Sequence, residues 1–364
     1  MVLSVILPVY NGEAYLKRCV ESVEKALVRF DKLIDQPLGG EISEIILIDD
    51  GSLDGTPEVC KELLAQYDNI KLLTLEDEGV SVARNKGLTL SCGDYIAFVD
   101  ADDVVDELIF SKLYTALKSN NAAIAGCSFY EWSDEKILSV GEQGIGSITK
   151  ISGDEKDAEA NDEVTCYTPS EYIASEILYG NSRCWSKIYD RRYITEFLKG
   201  LSIGEDMLFL ADAVIKAEAY DKNDANVTIC ELKKYKGYGY YKNLNGAMNR
   251  PFTPKYMDQI SCWELLRDRL TDSGLFNSDD EEGKAVLKKL NTNYLVSIVL
   301  TASKLSLLDK AARKEYKKEI NTCHSKLKEA LKKPHALDTG YKIKSGLFNL
   351  SPELYLSIYH KWKV

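Results

Sequence analysis

Acidic side chains that follow apolar runs are the residues of this chain with the clearest chemical potential. Asp100 and Asp102 flank a single alanine directly after the apolar residues 95–99. Side chains two residues apart at the end of a strand project to the same side, so the two carboxylates can share one cation. Oxygen ligands suit Mg²⁺ or Mn²⁺, whose shell is completed by waters and substrate phosphates. An isolated Asp-x-Asp triplet is more often a surface loop, but its place after a strand favours metal binding.

Two further residues are candidates for the same cleft. Asp50 lies in an Asp-Asp-Gly-Ser segment, where it could accept hydrogen bonds from a base or a ribose. The alternative is an ordinary turn between a strand and a helix, because Asp, Gly and Ser all favour turns. Arg84 could hold a diphosphate through paired hydrogen bonds, although a surface ion pair is the default for any single arginine.

The position of the histidines restricts the choice of a general base. All three, at 324, 335 and 360, lie near the carboxyl terminus, so a Ser-His-Asp or Cys-His arrangement in the body is disfavoured. A carboxylate base remains, and the adjacent Glu205 and Asp206 are the best candidates. A well-placed base contributes about 10²–10⁴-fold to a rate. The alternative is an acidic helix start, which the helix dipole stabilises.

The elements that position these residues alternate between strand and helix. Apolar runs at 3–9, 44–48, 71–75 and 95–99 predict buried strands, and each is followed by a helical pattern or a turn. Asn11 is the predicted N-cap of the first helix. This order predicts an α/β fold with a doubly wound, mostly parallel, Rossmann-like sheet. Ligands bind such sheets at the carboxyl ends of the strands, where the candidate acids lie.

Charge and cysteine usage exclude several classes of protein. The chain has 46 Lys and Arg against 57 Asp and Glu, a net charge of −11, which argues against a nucleic-acid partner. Nine cysteines form no CxxC pair, and an odd number fits reduced thiols in the cytoplasm. No signal peptide or membrane span is predicted. From residue 310 onward, however, 13 Lys and Arg stand against 5 Asp and Glu, a local charge of +8.

Four sequence blocks cover about residues 3–106. They are Val5-Ile6-Leu7-Pro8-Val9-Tyr10-Asn11, Ile48-Asp49-Asp50-Gly51-Ser52, Ala83-Arg84-Asn85 with Gly87, and Gly93-Asp94-Tyr95-Ile96 leading to Asp100-Ala101-Asp102-Asp103. Taken together, these blocks resemble glycosyltransferase family 2, the inverting enzymes of GT-A fold. A looser match to bacterial enzymes that build surface polysaccharides extends through Trp185-Ser186-Lys187, Gly204-Glu205-Asp206 and Tyr240-Tyr241-Lys242.

The resemblance implies a role for each candidate. Pro8 and Tyr10 would line the nucleotide pocket, Asp50 would pair with uracil, and Arg84 would lie near the base or the diphosphate. Asp100 would contact the ribose or the sugar, and Asp102 would bind the Mn²⁺ or Mg²⁺ ion. Asp206 would deprotonate the acceptor hydroxyl, with Glu205 beside it.

One departure from the family pattern concerns the donor pocket. Where members often carry an asparagine before a glycine, this chain has Asp77-Glu78-Gly79. An additional acid near a diphosphate is unfavourable unless it points outward.

Composition and the resemblance together predict the organisation of the chain. Residues 1–250 would form the catalytic domain, with a nucleotide-sugar half at 1–106 and an acceptor half at 107–250. Residues 131–165 are acidic and have little periodicity, which predicts an exposed insertion or a mobile loop. Residues 251–364 would form a helical region. Its last helix, from Ser351, carries Tyr355, Tyr359 and Trp362 with lysines and could bind an anionic membrane surface, or pack against a partner helix or the body.

The predicted function is a metal-dependent inverting transfer of a hexosyl or N-acetylhexosaminyl group. The donor would be a UDP-sugar, and the acceptor hydroxyl would belong to a lipid-linked or surface-polysaccharide glycan. The enzyme would be cytoplasmic or peripheral at the inner face of the cell membrane. One alternative is a non-catalytic nucleotide-binding scaffold of a polysaccharide assembly complex. A second is a sugar-nucleotide pyrophosphorylase, which the absence of a glycine-rich first loop with Arg or Lys disfavours.

Overall fold

The computed structural model divides the chain into two compact units, which are described separately. It describes residues 2–34, 43–133, 163–221, 226–243, 251–277 and 279–363. The first unit comprises Met1–Tyr172, Arg183–Gly200 and Asp212–Leu244, and the second comprises Ile173–Ser182, Leu201–Ala211 and Asn245–Val364.

The strands belong to the first unit and alternate with helices. Up to residue 132 the elements are β1 (Leu3–Val9), α1 (Leu16–Leu33), β2 (Glu44–Asp49), α2 (Thr56–Gln66), β3 (Ile70–Thr74), α3 (Val80–Leu90), β4 (Tyr95–Phe98), β5 (Val104–Val105), α4 (Ile109–Ser119), β6 (Ala122–Cys127) and β7 (Phe129–Trp132). In chain order the next elements are β8 (Val164–Tyr167), α5 (Pro169–Ser175), a 3₁₀ turn at Ile177–Tyr179, β9 (Lys187–Asp190), a 3₁₀ turn at Arg191–Tyr193, α6 (Glu205–Asp221), β10 (Thr228–Leu232) and β11 (Tyr238–Tyr241). The end of α5, the turn at Ile177–Tyr179 and the start of α6 group with the second unit.

Eight of these strands form one sheet in the order β3-β2-β1-β4-β9-β6-β10-β8. β1 is parallel to β2 and to β4, whereas β9 and β8 are antiparallel to their neighbours. β1 and β2 are buried along their whole length, as expected for strands covered on both faces. The predicted α/β fold with a mostly parallel sheet is confirmed. The order reverses between β1 and β4, which is where such sheets bind ligands.

Pro8 explains where the pairing of β1 with β4 ends. Ile6 is the last residue of β1 that pairs with β4. Its carbonyl accepts the N–H of Val99 at 3.1 Å. Pro8 is the next residue that faces β4, and proline has no N–H to donate. The ladder therefore stops, and the chain after Val99 leaves the sheet directly before Asp100.

A second, three-stranded sheet has the order β5-β11-β7. β11 is antiparallel to β5 and parallel to β7. Two strands occupy the ends of the segment at 131–165 that was predicted as a loop, because β7 includes residues 131–132 and β8 begins at Val164. The rest of that prediction falls on 134–162, outside the described residues.

The second unit is helical, as predicted for the carboxyl-terminal region. After a 3₁₀ turn at Pro254–Met257 its helices are α7 (Asp258–Ser273), α8 (Glu281–Ser306), α9 (Lys310–Glu315), α10 (Lys317–Ala330), α11 (Thr339–Leu350) and α12 (Pro352–Lys363). Asp280, Asp309 and Asp338 cap α8, α9 and α11 by accepting backbone N–H groups. In the described part of the chain, every helix is too short or too polar to cross a bilayer.

The predicted domain boundary near residue 250 lies within 244–250, outside the described residues. Residues 173–182 and 201–211 group with the helical unit, so the two units interleave along the sequence. The division into 1–250 and 251–364 stays a prediction.

Candidate active site

The loops that follow β1 and β2 are joined by hydrogen bonds. Asn11 accepts the N–H of Leu53 at 2.8 Å through its side-chain oxygen, and its own N–H donates to Ser52 Oγ at 2.9 Å. These bonds hold Asn11 at a φ of +51°, a left-handed conformation that asparagine tolerates. The prediction of Asn11 as an N-cap is therefore wrong, because α1 begins only at Leu16. Its side chain instead fixes one loop against the other.

Asp50 fixes the loop before α3 by accepting two backbone hydrogen bonds. Its carboxylate is buried, and its two oxygens accept the N–H groups of Glu78 and Gly79, both at 2.8 Å. Burial raises the pKa of this carboxyl group. The side chains of Asp77 and Glu78 are exposed. A carboxylate has about four lone-pair sites, so Asp50 keeps acceptor capacity for a ligand.

Replacing Asp50 by alanine is expected to lower the free energy of unfolding by about 1.5–3 kcal/mol, because hydrogen bonds to charged groups contribute that much. Urea titration measures the change. Glu78→Ala is the matched control, since it removes an exposed carboxylate from the same loop and keeps the backbone N–H. If the two variants unfold at the same urea concentration, Asp50 does not fix the loop.

Arg84, Asn85 and Gly87 each make a separate contact. Asn85 forms two hydrogen bonds with Phe197. Its side-chain NH₂ donates to the carbonyl of Phe197, and its side-chain oxygen accepts the N–H of that residue, both at 2.8 Å. Gly87 lets α3 approach β1, because an added methyl would lie 2.4 Å from Ile6 Cγ2. These contacts hold α3 against the sheet and so position Arg84.

Arg84 and Asp100 form an ion pair at the carboxyl edge of the sheet. Arg84 Nη2 lies 2.9 Å from Asp100 Oδ1, and the arginine side chain is 3% exposed against 30% for the aspartate. The guanidinium also lies 5.2 Å from the centre of the Phe197 ring. A charge-assisted bond of this kind orients the carboxylate of Asp100.

Asp102 and Asp103 follow in the same segment and are crowded by negative charge. Burial, together with the charge of Asp100, raises the pKa of Asp102 to about 6. Asp103 is fully buried; it accepts the hydroxyl of Tyr238 and the N–H of Tyr241, both at 2.7 Å. Burial and the two other aspartates raise its pKa well above the usual range. Asp103 therefore supports the segment from inside, and Asp100 and Asp102 are the partly exposed carboxylates.

The remaining donor-site candidates lie at the same edge. Pro8 is buried in β1, and Tyr10, directly after that strand, is 43% exposed. A methyl group added at Gly12 would lie 3.9 Å from Cβ of Ala101, which brings the first loop to the Asp-rich segment. Together with the contacts of Asp50 and Arg84, these placements gather the predicted donor residues at one edge of the sheet, as the topology requires.

Two arginines near the aspartates were missed by the sequence reasoning. Arg18 on α1 donates to the backbone carbonyl of Asp102 at 3.4 Å, and its guanidinium lies 4.2 Å from the centre of the Trp132 ring. Arg183 lies 5.1 Å from the centre of the Trp185 ring, which stacks on Tyr240 at 5.5 Å. Nothing in their spacing distinguishes either arginine from a surface residue.

The described residues contain no group of three His, Cys, Asp or Glu side chains that could hold a metal ion by themselves. Asp100 and Asp102 offer carboxylate oxygen alone. That donor set fits Mg²⁺ or Mn²⁺, which proteins bind through one or two carboxylates together with substrate phosphates.

Glu205 and Asp206 form the first turn of α6, among the residues that group with the second unit. Both are half-buried. Gly204 has a φ of +89°, and a methyl there would lie 2.5 Å from Cys262 Cβ, so the chain enters α6 through a position that only glycine suits. Acidic residues in a first helical turn are favoured by the helix dipole. The catalytic role of this pair stays a prediction.

Comparison with known proteins assigns a family to the part of the chain that carries most of the sheet's strands. Residues 4–173 match the model of Glycosyl transferase family 2. These residues form a family 2 glycosyltransferase domain. The resemblance inferred from the four sequence blocks is therefore confirmed over this range.

Relatives and solved structures extend the comparison beyond the family 2 domain. Glycosyltransferase GlyA of Streptococcus pneumoniae is 24% identical over 93% of this chain and 44% of its own length. The minor teichoic acid biosynthesis protein GgaA of Bacillus subtilis is 37% identical over 30% of this chain and 24% of its own length. The structure of S. aureus TarS 1–349 in complex with UDP-GlcNAc is 18% identical, has a TM-score of 0.61 and covers 99% of this chain and 90% of that one. This similarity confirms the GT-A-type fold with its helical carboxyl-terminal region. The chain spans less than half the length of GlyA and GgaA.

Proposed function

We propose that this protein is a metal-dependent inverting glycosyltransferase that moves a hexosyl or N-acetylhexosaminyl group from a UDP-sugar to a glycan hydroxyl. The observation that carries the proposal is the gathering of Asp50, Arg84, Asp100 and Asp102 at the carboxyl edge of one sheet within the family 2 domain. A turn or a surface ion pair would explain any one of these residues. Neither explanation accounts for the fact that all four residues lie at the edge where the strand order reverses.

The nucleoside of the donor would bind between the loops after β1 and β2. In this proposal Asp50 accepts the imide N–H of uracil with the acceptor capacity that its backbone bonds leave, and Pro8 and Tyr10 line the pocket. Asp100 accepts a hydroxyl of the ribose or the sugar. Arg84 holds that carboxylate in place, since the two are already bonded at 2.9 Å.

Asp102, with Asp100 beside it, would hold the Mg²⁺ or Mn²⁺ ion. The raised pKa of Asp102, about 6, reflects burial and repulsion that a cation would relieve. Such an ion, when bound, supplies positive charge to the leaving diphosphate. Asp103, bonded to Tyr238 and Tyr241, keeps the segment in the conformation that presents both carboxylates.

Asp206 would act as the general base, with Glu205 as its neighbour. A carboxylate that takes the proton of the acceptor hydroxyl raises its nucleophilicity as the bond to the anomeric carbon forms. Attack on the face opposite the diphosphate inverts the configuration, so a UDP-α-sugar gives a β-linked product.

Two similar proteins support the choice of donor and acceptor. TarS 1–349 was crystallised with UDP-GlcNAc, and GgaA takes part in minor teichoic acid biosynthesis. These relationships favour a UDP-sugar as donor and a cell-surface or lipid-linked glycan as acceptor. A lipid-linked acceptor would place the reaction at the inner face of the cell membrane, which requires a surface that binds the bilayer.

A screen of UDP-sugars with Mn²⁺, read out as UDP release in the presence of mixed cell-envelope glycans, tests the proposal. Turnover of at least one UDP-sugar is expected. UDP binding without turnover of any donor would favour a nucleotide-binding scaffold instead. Turnover that persists without a divalent cation would contradict the metal-dependent mechanism.

A further inference from the structure

Each of the last two helices carries exposed large apolar side chains, which are together called the apolar stripe. Five large apolar side chains of α11 and α12 are open to solvent: Ile343 is 66% exposed, Leu350 79%, Leu354 45%, Ile358 48% and Trp362 69%. On α12 the last three follow one another at intervals of four residues, so they share one face of the helix. Clusters of exposed apolar side chains mark interaction sites on soluble proteins, whereas single ones need no explanation.

The opposite face of α12 is already occupied by the core of its own unit. Tyr355 is 1% exposed, and its hydroxyl lies 2.7 Å from Ser303 Oγ on α8. His360 Nδ1 lies 2.8 Å from the carbonyl of Ser306 at the end of the same helix. These contacts anchor α12 and fix which side faces solvent. Of the two alternatives left open by the sequence, Tyr355 follows packing against the body, because it is buried, and Tyr359 stacks on it at 5.6 Å.

Positive charge flanks the stripe. Lys342, Lys361 and Lys363 are exposed beside it, and Glu353 is the single acidic residue from Thr339 to Lys363. Trp362 adds a ring with an apolar body and a polar N–H, the kind of side chain that settles at the boundary between lipid and water. An apolar face with a lysine border is the pattern of helices that lie in the plane of a bilayer surface.

We propose that the faces of α11 and α12 formed by these five side chains bind the surface of an anionic lipid bilayer. The apolar side chains would enter the boundary of the acyl chains, and the lysines would remain among the head groups, where anionic lipids attract them. The charge favours lipid over a protein partner, because the exposed lysines would have to be neutralised or desolvated in a dry protein interface.

Sedimentation of the full chain with lipid vesicles tests this proposal, and it does not depend on catalysis. Vesicles of phosphatidylcholine mixed with phosphatidylglycerol are expected to bind the protein. Vesicles of phosphatidylcholine alone should bind it less, and salt should weaken the binding to the mixed vesicles, because it screens the lysines. The double variant Ile358→Glu, Trp362→Glu should bind the mixed vesicles roughly tenfold less, since it places two charges in the apolar face.

Two further variants separate the contribution of the lysines from that of the apolar side chains and from a general effect of substitution. Lys361→Gln with Lys363→Gln should reduce the preference for phosphatidylglycerol by roughly tenfold. Val28→Glu is the matched control, because Val28 on α1 is 50% exposed and lies in the other unit; it should bind as the unchanged chain does. Circular dichroism checks that all variants fold, which is expected because every substituted side chain is exposed.

The proposal is overturned if the unchanged chain does not bind the mixed vesicles, or if the Ile358→Glu, Trp362→Glu variant binds them equally well. It is also overturned if the stripe proves to be a contact between copies. In that case the unchanged chain would be an oligomer in solution without affinity for vesicles, and the double variant would be a monomer.

Discussion

Replacing Asp206 by asparagine is expected to lower kcat for sugar transfer by about 10²–10⁴-fold, the contribution of a well-placed general base. Asparagine has nearly the same shape but cannot take a proton from the acceptor hydroxyl. The KM for the donor should change little, because Asp206 is assigned to the acceptor and not to the nucleotide. Initial rates of UDP release, with the donor and acceptor that support turnover, give both constants.

Glu205→Gln is the matched control for this prediction. It removes the neighbouring carboxylate of the same helical turn, and a loss well below that of Asp206→Asn is expected. A larger loss of kcat in Glu205→Gln than in Asp206→Asn would indicate that Glu205 is the general base. Unchanged turnover in Asp206→Asn would exclude Asp206 as the base.

Replacing Asp102 by asparagine is expected to lower kcat/KM by roughly 10³-fold, because a metal ion contributes several kcal/mol of charge stabilisation. The variant should also need more Mn²⁺ to reach its remaining activity. It should fold, because asparagine has nearly the same shape as aspartate and the change removes the repulsion from Asp100. Activity measured across a Mn²⁺ titration gives both effects.

Asp77→Asn is the control for the loss of one negative charge near the donor. Asp77 is exposed and has a φ of +54°, a conformation that asparagine also tolerates. Its activity and its Mn²⁺ requirement should resemble those of the unchanged chain. A loss in Asp77→Asn equal to that in Asp102→Asn would indicate a general effect of charge and not a metal ligand.

The first four strands could be predicted because they are short, almost wholly apolar and separated by clear turns. The pairing of strands with segments far away in the sequence could not be predicted. β9 lies between β4 and β6 and runs antiparallel to both, and its neighbours are about 60–90 residues away in sequence. No local pattern specifies such a partner.

The position of the candidate site was predictable where its residues directly follow strands. Asp50, Asp100 and Asp102 were identified on that ground, and the topology then brings them to one edge. The side-chain partners were not predictable. The bonds of Asn11 to the loop after β2, and the approach of Arg18 to Asp102, depend on loops that meet only in the folded chain.

The carboxyl-terminal helix shows the limit of composition as a guide. Aromatic residues and lysines indicated a surface helix, but α12 has apolar residues on two faces, and composition does not say which face is buried. Tyr355 fills the core through its bond to Ser303, and Leu354 and Ile358 are left exposed. Burial therefore moves the proposed membrane contact from Tyr355 to the exposed side chains of α12.

The central claim, a metal-dependent site for a uridine nucleotide on the family 2 domain, is tested most directly by titration calorimetry of UDP into the full chain. With Mn²⁺ present, UDP is expected to bind and GDP to bind far more weakly. Removing the ion with EDTA, or replacing Asp102 by asparagine, should largely abolish the binding. No binding of UDP in the presence of Mn²⁺ or Mg²⁺, or equal binding of UDP and GDP, would contradict the account.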